Sequence, residues 1–256
     1  MTARTAGTAA SLGLALVVGA CTSFYEIPIE TPIQPKLDVS SFRRVLVAGF
    51  IAGGTDQVDG NLETVRLLRS QLRSRSGMAV IEAEPLPLAE IAAGNLGPAA
   101  QTETPENEGE VGRIRSQQQL ERYEHIFADA AYWKKLGEEY QEPLIVTGTI
   151  LFTTHQRSGM VERTQEVQDQ FGRRRTIPVR TYQEREGYIL SPKFIFIDGR
   201  TGTTLYSESF REEILYEANQ NTPALSSYFE LMDRLVPSFL STLSTQKIRG
   251  TRVLLK

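Results

Sequence analysis

The chain has 256 residues, with 28 Lys and Arg against 31 Asp and Glu, a net charge of −3, and a single cysteine. A mildly acidic balance leaves no electrostatic footprint for nucleic acid. One cysteine excludes an intrachain disulfide, so a core must hold the fold, and the length is ample for one domain.

The first twenty residues carry one charge, Arg4, and run from Leu12 to Ala20 without a polar side chain. That apolar stretch is too short for a spanning helix, which needs about 20 residues; it suits a secretory h-region of about 7–15. Val18-Gly19-Ala20-Cys21 resembles the bacterial lipobox. The resemblance implies that residues 1–20 are a signal peptide, cleaved before Cys21. It further implies a diacylglycerol thioether on the Cys21 sulfur and an acyl chain on the new amino group. These covalent lipids are the only non-protein groups expected, and no other cofactor is. Burial of acyl CH₂ groups contributes about 0.8 kcal/mol each, and stable anchoring takes more than one chain. The alternative reading of a lone cysteine is a small buried apolar residue. Thr22 stands where the enterobacterial pattern places the Asp that retains lipoproteins at the inner membrane. By that rule the protein is anchored in the outer membrane with its domain facing the periplasm. Cleavage leaves 27 basic and 31 acidic side chains.

Residues 21–41, with Pro28, Pro32 and Pro35, show neither helical nor strand periodicity and read as a tether reaching about 60 Å at ~3.1 Å per residue. Phe24, Tyr25, Ile27, Ile29 and Ile33 make it more apolar than a Gly/Ser linker, which suits docking on a partner or on the domain itself. The remainder, 42–256, reads as a single α/β domain.

"RRVLVAGF" (43–50) predicts a strand buried on both faces. A loop, "IAGGTDQVDG", leads to an amphipathic helix over 61–75, with Leu62, Val65, Leu68 and Leu72 on one face and Arg66, Arg69 and Arg73 on another. "MAVIEA" (78–83) predicts a second strand, completing a β-α-β unit. Residues 94–112 are rich in turn formers and acids, the composition of a mobile loop. Helices resume over 114–140, with Leu120, Tyr123, Phe127, Ala130, Trp133 and Leu136 inward and Asp129 as a cap. "EPLIVTGTILF" (142–152) is the strongest strand, and the polar stretch 156–187, with "FGRRRTIP" as its turn, predicts a long projecting β-hairpin. Its tip carries Arg173, Arg174 and Arg175, suited to lipid phosphates or an acidic partner, or to a merely solvated turn. "YILSPKFIFID" and "TTLYSESF" predict a second hairpin about "GRTG", with Gly199 and Gly202 supplying positive φ. Thr222-Pro223 reads as N-cap and first helical residue. Leu225, Phe229, Met232, Leu235, Val236, Phe239 and Leu243 then trace one face of a helix that Pro237 should kink. "RVLL" (252–255) is a possible last strand.

Signatures of catalysis are few. Gly49 and Gly54 have P-loop spacing, but Thr55 and Asp56 stand where Lys and Ser/Thr must hold phosphate and Mg²⁺. His125 and His155 lie 30 residues apart without a third soft ligand for zinc. The acid pairs Glu138-Glu139 and Glu212-Glu213 are sequence neighbours, which in a strand face opposite ways. No Gly-x-Ser-x-Gly elbow occurs. The expectation is a protein without catalytic or metal-binding residues.

The lipobox, the "RRVLVAGF" strand with its helix, Thr147-Gly148-Thr149-Ile150, and Ile197-Asp198-Gly199-Arg200-Thr201-Gly202 before a long apolar helix together resemble one group of periplasmic lipoproteins. It comprises the curli secretion channel (CsgG) type, LpoB-like activators of penicillin-binding proteins and the N-terminal domain of TolB. The resemblance covers roughly residues 42–245. It departs at the longer 94–112 loop and at Ala48-Gly49, which replace the usual turn before Phe50. It implies a small mixed sheet flanked by helices, and a non-catalytic scaffold or regulator that binds another envelope protein, its oligomeric state undetermined. The alternative it implies is a subunit of a curli-type export channel, whose barrel strands would come from 156–187 and 205–229. Against that, "VERTQEVQDQ" places Arg163 and Asp169 on one face and Glu162 and Glu166 on the other, and a basic residue at the bilayer midplane costs about 2–4 kcal/mol.

Overall fold

The computed structural model describes residues 24–95, 114–168, 170–217, 220 and 222–255. In chain order its elements are β1 (Phe24–Ile33), β2 (Arg44–Gly54), α1 (Gly60–Arg75), β3 (Ala79–Val80), α2 (Leu88–Asn95), α3 (Gln117–Glu121), a 3₁₀ turn (Glu124–Ala128) and α4 (Ala130–Glu139), then β4 (Leu144–Gln168), β5 (Arg174–Asp198), β6 (Thr204–Ser209), β7 (Glu212–Glu217), α5 (Ala224–Leu243) and β8 (Gln246–Leu255). They divide into two units, one within Lys36–Ser244 and one in which β1 pairs with β8. The single domain expected over 42–256 is corrected accordingly.

The larger unit is a mixed sheet ordered β3-β2-β4-β5-β6, with β7 also on β5. β2 runs parallel to β3 and β4, whereas β4, β5, β6 and β7 pair antiparallel. Alternation along the strands supplies two cores. One face packs Val146, Ile150, Phe194 and Phe196 against Val65, Leu68 and Leu72 of α1 and Tyr228, Leu235 and Phe239 of α5. The other packs Ile145, Ile195 and Ile197 against Leu88 and Ala92 of α2, Leu120 of α3, and Trp133 and Leu136 of α4. The Trp133 indole N–H donates to the Ile126 carbonyl at 2.8 Å, satisfying the polar end of a fully buried ring.

β2 extends four residues beyond the expected strand. A bulge between Val47 and Gly49 reverses its alternation, so that Val47 and Phe50 share one core while Leu46 and Ile51 enter the other. Two side chains satisfy the bulge: Asn61 Oδ1 accepts from the Phe50 N–H at 2.8 Å, and Thr147 Oγ1 donates to the Gly49 carbonyl at 2.8 Å. Ala48-Gly49 is thus a bulge rather than an altered turn. Arg69, expected on a polar side, reaches the Val47 carbonyl at 2.9 Å and is partly buried.

Several expectations change at element ends. β3 shrinks to two residues, and 88–95 adds a helix where the stretch 94–112 was to begin as a mobile loop; 96–112 lie outside the described residues. In α5 the N-cap is Pro223 rather than Thr222, and Leu225 is 44% exposed instead of inward. Helix α5 continues through Pro237, which lies on its exposed side together with Asp233, whose carbonyl Pro237 cannot bond.

The turn after β5 is built on Asp198. Its carboxylate accepts from the Arg200 backbone N–H at 2.9 Å and from the Arg200 guanidinium at 3.1 Å, while its own N–H donates to the Thr203 carbonyl at 3.0 Å. Of the two glycines in this turn, only Gly202 has positive φ, at 75°. Gly199 is needed for space instead, since a Cβ there would lie 2.4 Å from the Pro143 carbonyl oxygen. Burial pushes the Asp198 carboxyl up, but the bonds and charge of Arg200 outweigh it and hold the group below the usual carboxylate range. A depressed folded value stabilises the fold above the unfolded pKa of about 3.9, and that stabilisation is lost as pH falls through the folded value. Asp198→Asn should therefore lower the urea midpoint at pH 7, with the difference from wild type narrowing below about pH 4. A difference independent of pH would contradict this role.

The smaller unit corrects the tether. Residues 24–33 pair antiparallel with 246–255, from Phe24↔Leu255 to Ile33↔Gln246. Pro28 and Pro32 have the same parity, so their missing N–H groups fall on one strand edge, compatible with pairing along the other. Among the described residues no helix is long and apolar enough to cross a membrane.

Candidate functional site

Beyond the core, β4 and β5 continue as a two-stranded arm. The base is an aromatic cluster: Phe152 stacks on Tyr188 at 4.9 Å and meets Tyr228 edge-on at 5.1 Å. From there Thr153 to Gln168 pair with Arg174 to Ile189 without a register shift. At about 3.3 Å per residue the arm extends about 50 Å. The sequence suggested separate strands at 142–152 and 188–198 around an independent polar hairpin at 156–187; the molecule runs them as two continuous strands of 25 residues each.

The strands' outer edges open along the arm. β2 pairs with β4 only as far as Phe152, and β7 reaches β5 only between Arg185 and Leu190. Among the described residues no strand covers the edges of Thr153–Gln168 or Arg174–Glu184, leaving two rows of backbone N–H and C=O groups able to accept another strand.

Side chains on the arm form polar rungs. Glu217 Oε1 accepts from Arg163 Nη2 at 3.0 Å and from Gln183 Nε2 at 3.1 Å. Gln156 donates to Glu186 at 3.0 Å, and Arg174 pairs with Glu166 at 3.9 Å. His155 Nε2 faces Glu213 at 3.6 Å, while His125 lies far off in the chain with Nδ1 at 3.0 Å from the Arg122 carbonyl. Among the described residues no group of three His, Cys, Asp or Glu side chains is arranged to hold a metal. Arg157 and Arg185 occupy directly opposed positions, an arrangement of like charges that costs stability within a sheet. Residues 155–187 contain seven arginines and five acids, so this segment is positive within a chain of net −3.

The three tip arginines do not form one patch. Arg173 lies in the turn with its guanidinium 5.6 Å from the centre of the exposed Phe171 ring. Arg174 and Arg175 open β5 at adjacent positions and so face opposite sides of the ribbon. The apolar component was hidden in the sequence. Met160 and Tyr182 are directly opposed and 68% and 62% exposed, and Val167 and Ile177 are 41% and 42% exposed on the other face. Met160 and Tyr182 are far apart in the sequence, and only the pairing register brings them together. Cys21 lies outside the described residues.

The second region considered for barrel strands, 205–229, is not an arm. β6 and β7 lie one after the other along the same edge of β5, and α5 begins at Ala224.

No family model matches the chain, and no curated protein matches it. Among solved structures it is similar to lipoprotein GNA1162 from Neisseria meningitidis, at 16% identity over 77% of this chain and 97% of that one, with a TM-score of 0.32. It is also similar to a Helicobacter pylori protein named as a homologue of neuraminyllactose-binding hemagglutinin, at 10% identity, 82% and 86% coverage and a TM-score of 0.35. A PDZ domain protein from Parabacteroides distasonis matches at 10% identity, 94% and 42% coverage and a TM-score of 0.24. Scores this low decide neither fold nor function.

Proposed function

We propose that this chain is a lipid-anchored envelope protein, attached through Cys21 to the outer membrane and facing the periplasm, that acts as a non-catalytic scaffold or regulator by presenting the β4–β5 arm to another envelope protein. The observation that carries this reading is the arm itself. About 50 Å of paired strand, with open edges, positive charge and isolated exposed apolar residues, adds little to either core. The charge balance of 155–187 favours an acidic partner surface, and the open edges favour a partner that adds a strand.

Deleting residues 158–184 and joining Arg157 to Arg185 through Asn-Gly, a two-residue hairpin turn, tests the reading. The deletion keeps the Tyr188–Ile214 pairing and the aromatic base. Thermal unfolding of the shortened protein should stay cooperative, with Tm within a few degrees of wild type. In cross-linked envelopes the full chain should give a discrete heterologous adduct that the shortened chain lacks, while membrane attachment is unchanged. Loss of cooperative unfolding, or the same adduct from both chains, would reject the arm as the binding element.

A further inference from the structure

The β1–β8 ribbon separates its side chains by polarity. The register places Glu26 and Glu30 with Lys247, Arg249 and Val253 on one face. There Glu30 binds Arg249 at 3.0 Å and Lys247 at 3.5 Å. The opposite face holds Tyr25, Ile27, Ile29 and Ile33, which are 65%, 41%, 40% and 45% exposed. Among the described side chains of that face the one charge is Arg252. A two-stranded ribbon with an uncovered apolar face is marginal in water, and an exposed apolar row of this kind marks a contact surface.

We infer that the apolar face of this ribbon rests on the surface of a lipid bilayer, with Tyr25, Ile27, Ile29 and Ile33 toward the acyl chains and Arg252 toward lipid phosphate. The inference rests on the lipid-anchor reading of Cys21 for its location. Only Thr22 and Ser23 separate Cys21 from Phe24, where the strand begins, so a lipidated sulfur holds that end of the ribbon within about 10 Å of the bilayer. Both acids lie on the face turned away, and the charge on the apolar face has the sign that anionic headgroups attract. Tyr25, at the end near Cys21, is of a residue type enriched at membrane interfaces. The open strand edges forbid passage through hydrocarbon, where unpaired backbone groups go unsatisfied, but not a position among hydrated headgroups. A second copy is a poorer occupant. A face about 33 Å long and about 10 Å wide buries roughly 650 Å² between two copies, short of the 1,200 Å² or more of stable interfaces.

The test uses the full mature chain with Cys21→Ser, so that no acyl chain contributes, and co-sedimentation with vesicles of phosphatidylethanolamine and phosphatidylglycerol in a 3:1 ratio. The chain should bind, and Ile27→Ser with Ile29→Ser should lower the partition coefficient at least tenfold, whereas Val253→Ser on the other face should change it less than twofold. Since loss of two isoleucines also weakens the ribbon itself, Arg252→Glu provides a second reading that keeps every apolar side chain. It should weaken binding to these vesicles severalfold and leave the weaker binding to pure phosphatidylcholine unchanged. Absence of binding, or equal losses from both faces, overturns the inference. So does a dimer that depends on Ile27 and Ile29 and excludes vesicles, which would assign the face to a second copy. Since the assayed chain carries no lipid, its outcome is separate from lipidation of Cys21, which the mass of the mature wild-type protein decides.

Discussion

Cys21→Ala is expected to abolish lipid attachment, leaving an exported chain that either retains residues 1–20 or comes off the membrane in soluble form under alkaline carbonate. The wild-type chain, by contrast, should begin at Cys21, carry the mass of its acyl groups, and stay with membranes through alkaline carbonate. The difference is all-or-none because anchoring by more than one acyl chain far exceeds what an exposed apolar ribbon face provides. An intact, unmodified Cys21 thiol in the mature wild-type protein would remove the anchor and, with it, the envelope assignment.

Gly148→Val is expected to produce the largest loss of stability. Gly148 sits mid-sheet opposite Phe194 with φ 145°, and a Cβ there would lie 1.8 Å from the Lys193 carbonyl oxygen. The backbone strain of about 1–3 kcal/mol and overpacking of about 1–3 kcal/mol both fall on the β4–β5 ladder that joins the two cores. A combined loss of about 3 kcal/mol or more in urea unfolding is therefore expected, enough to unfold many domains. Gly159→Val supplies the contrast. On the arm a Cβ meets nothing within 4 Å, so the change should stay within about 0.5 kcal/mol. Equal effects at the two glycines would mean that the arm is as integral to the fold as the central sheet.

The two substitutions also mark where the sequence is informative. Continuous apolar runs such as "LIVTGTI" and "FIFI" declare buried strands because both faces need apolar residues. Asp198 with its turn is legible because the acid and the residue after next make local bonds. Helix α1 is legible from its spacing, whereas its cap emerges only in the structure, where the Asp59 carboxylate accepts from the Leu62 N–H at 3.0 Å. Long-range pairing is not legible in this way. Residues 24–33 read as a tether because alternation in Tyr25, Ile27, Ile29 and Ile33 is interrupted by two prolines, and the strand that pairs with them begins at Gln246. The bulge at Gly49 depends on Asn61 and Thr147, neither of which is adjacent in sequence.

The candidate site follows the same division. The polar composition of 156–187 already marks a segment with no core to join. Its extension into the sheet, its open edges and the opposition of Met160 to Tyr182 come only from the pairing. The three arginines read as a cluster because they are consecutive, yet strand geometry sends Arg174 and Arg175 to opposite faces. An account that places recognition on Arg173–Arg175 alone is therefore too narrow, and the edges and both faces of the arm belong to the same surface.

The most direct measurement is photo-cross-linking in living cells from a benzophenone residue at Tyr182, with one at the exposed Leu225 of α5 as reference. The expected result is a single adduct with a different envelope protein from position 182, identified by mass spectrometry and absent from position 225. A ladder of adducts of the chain with itself, rising in mass from position 182, would contradict the binding-arm account and mark the arms as the joints of a ring.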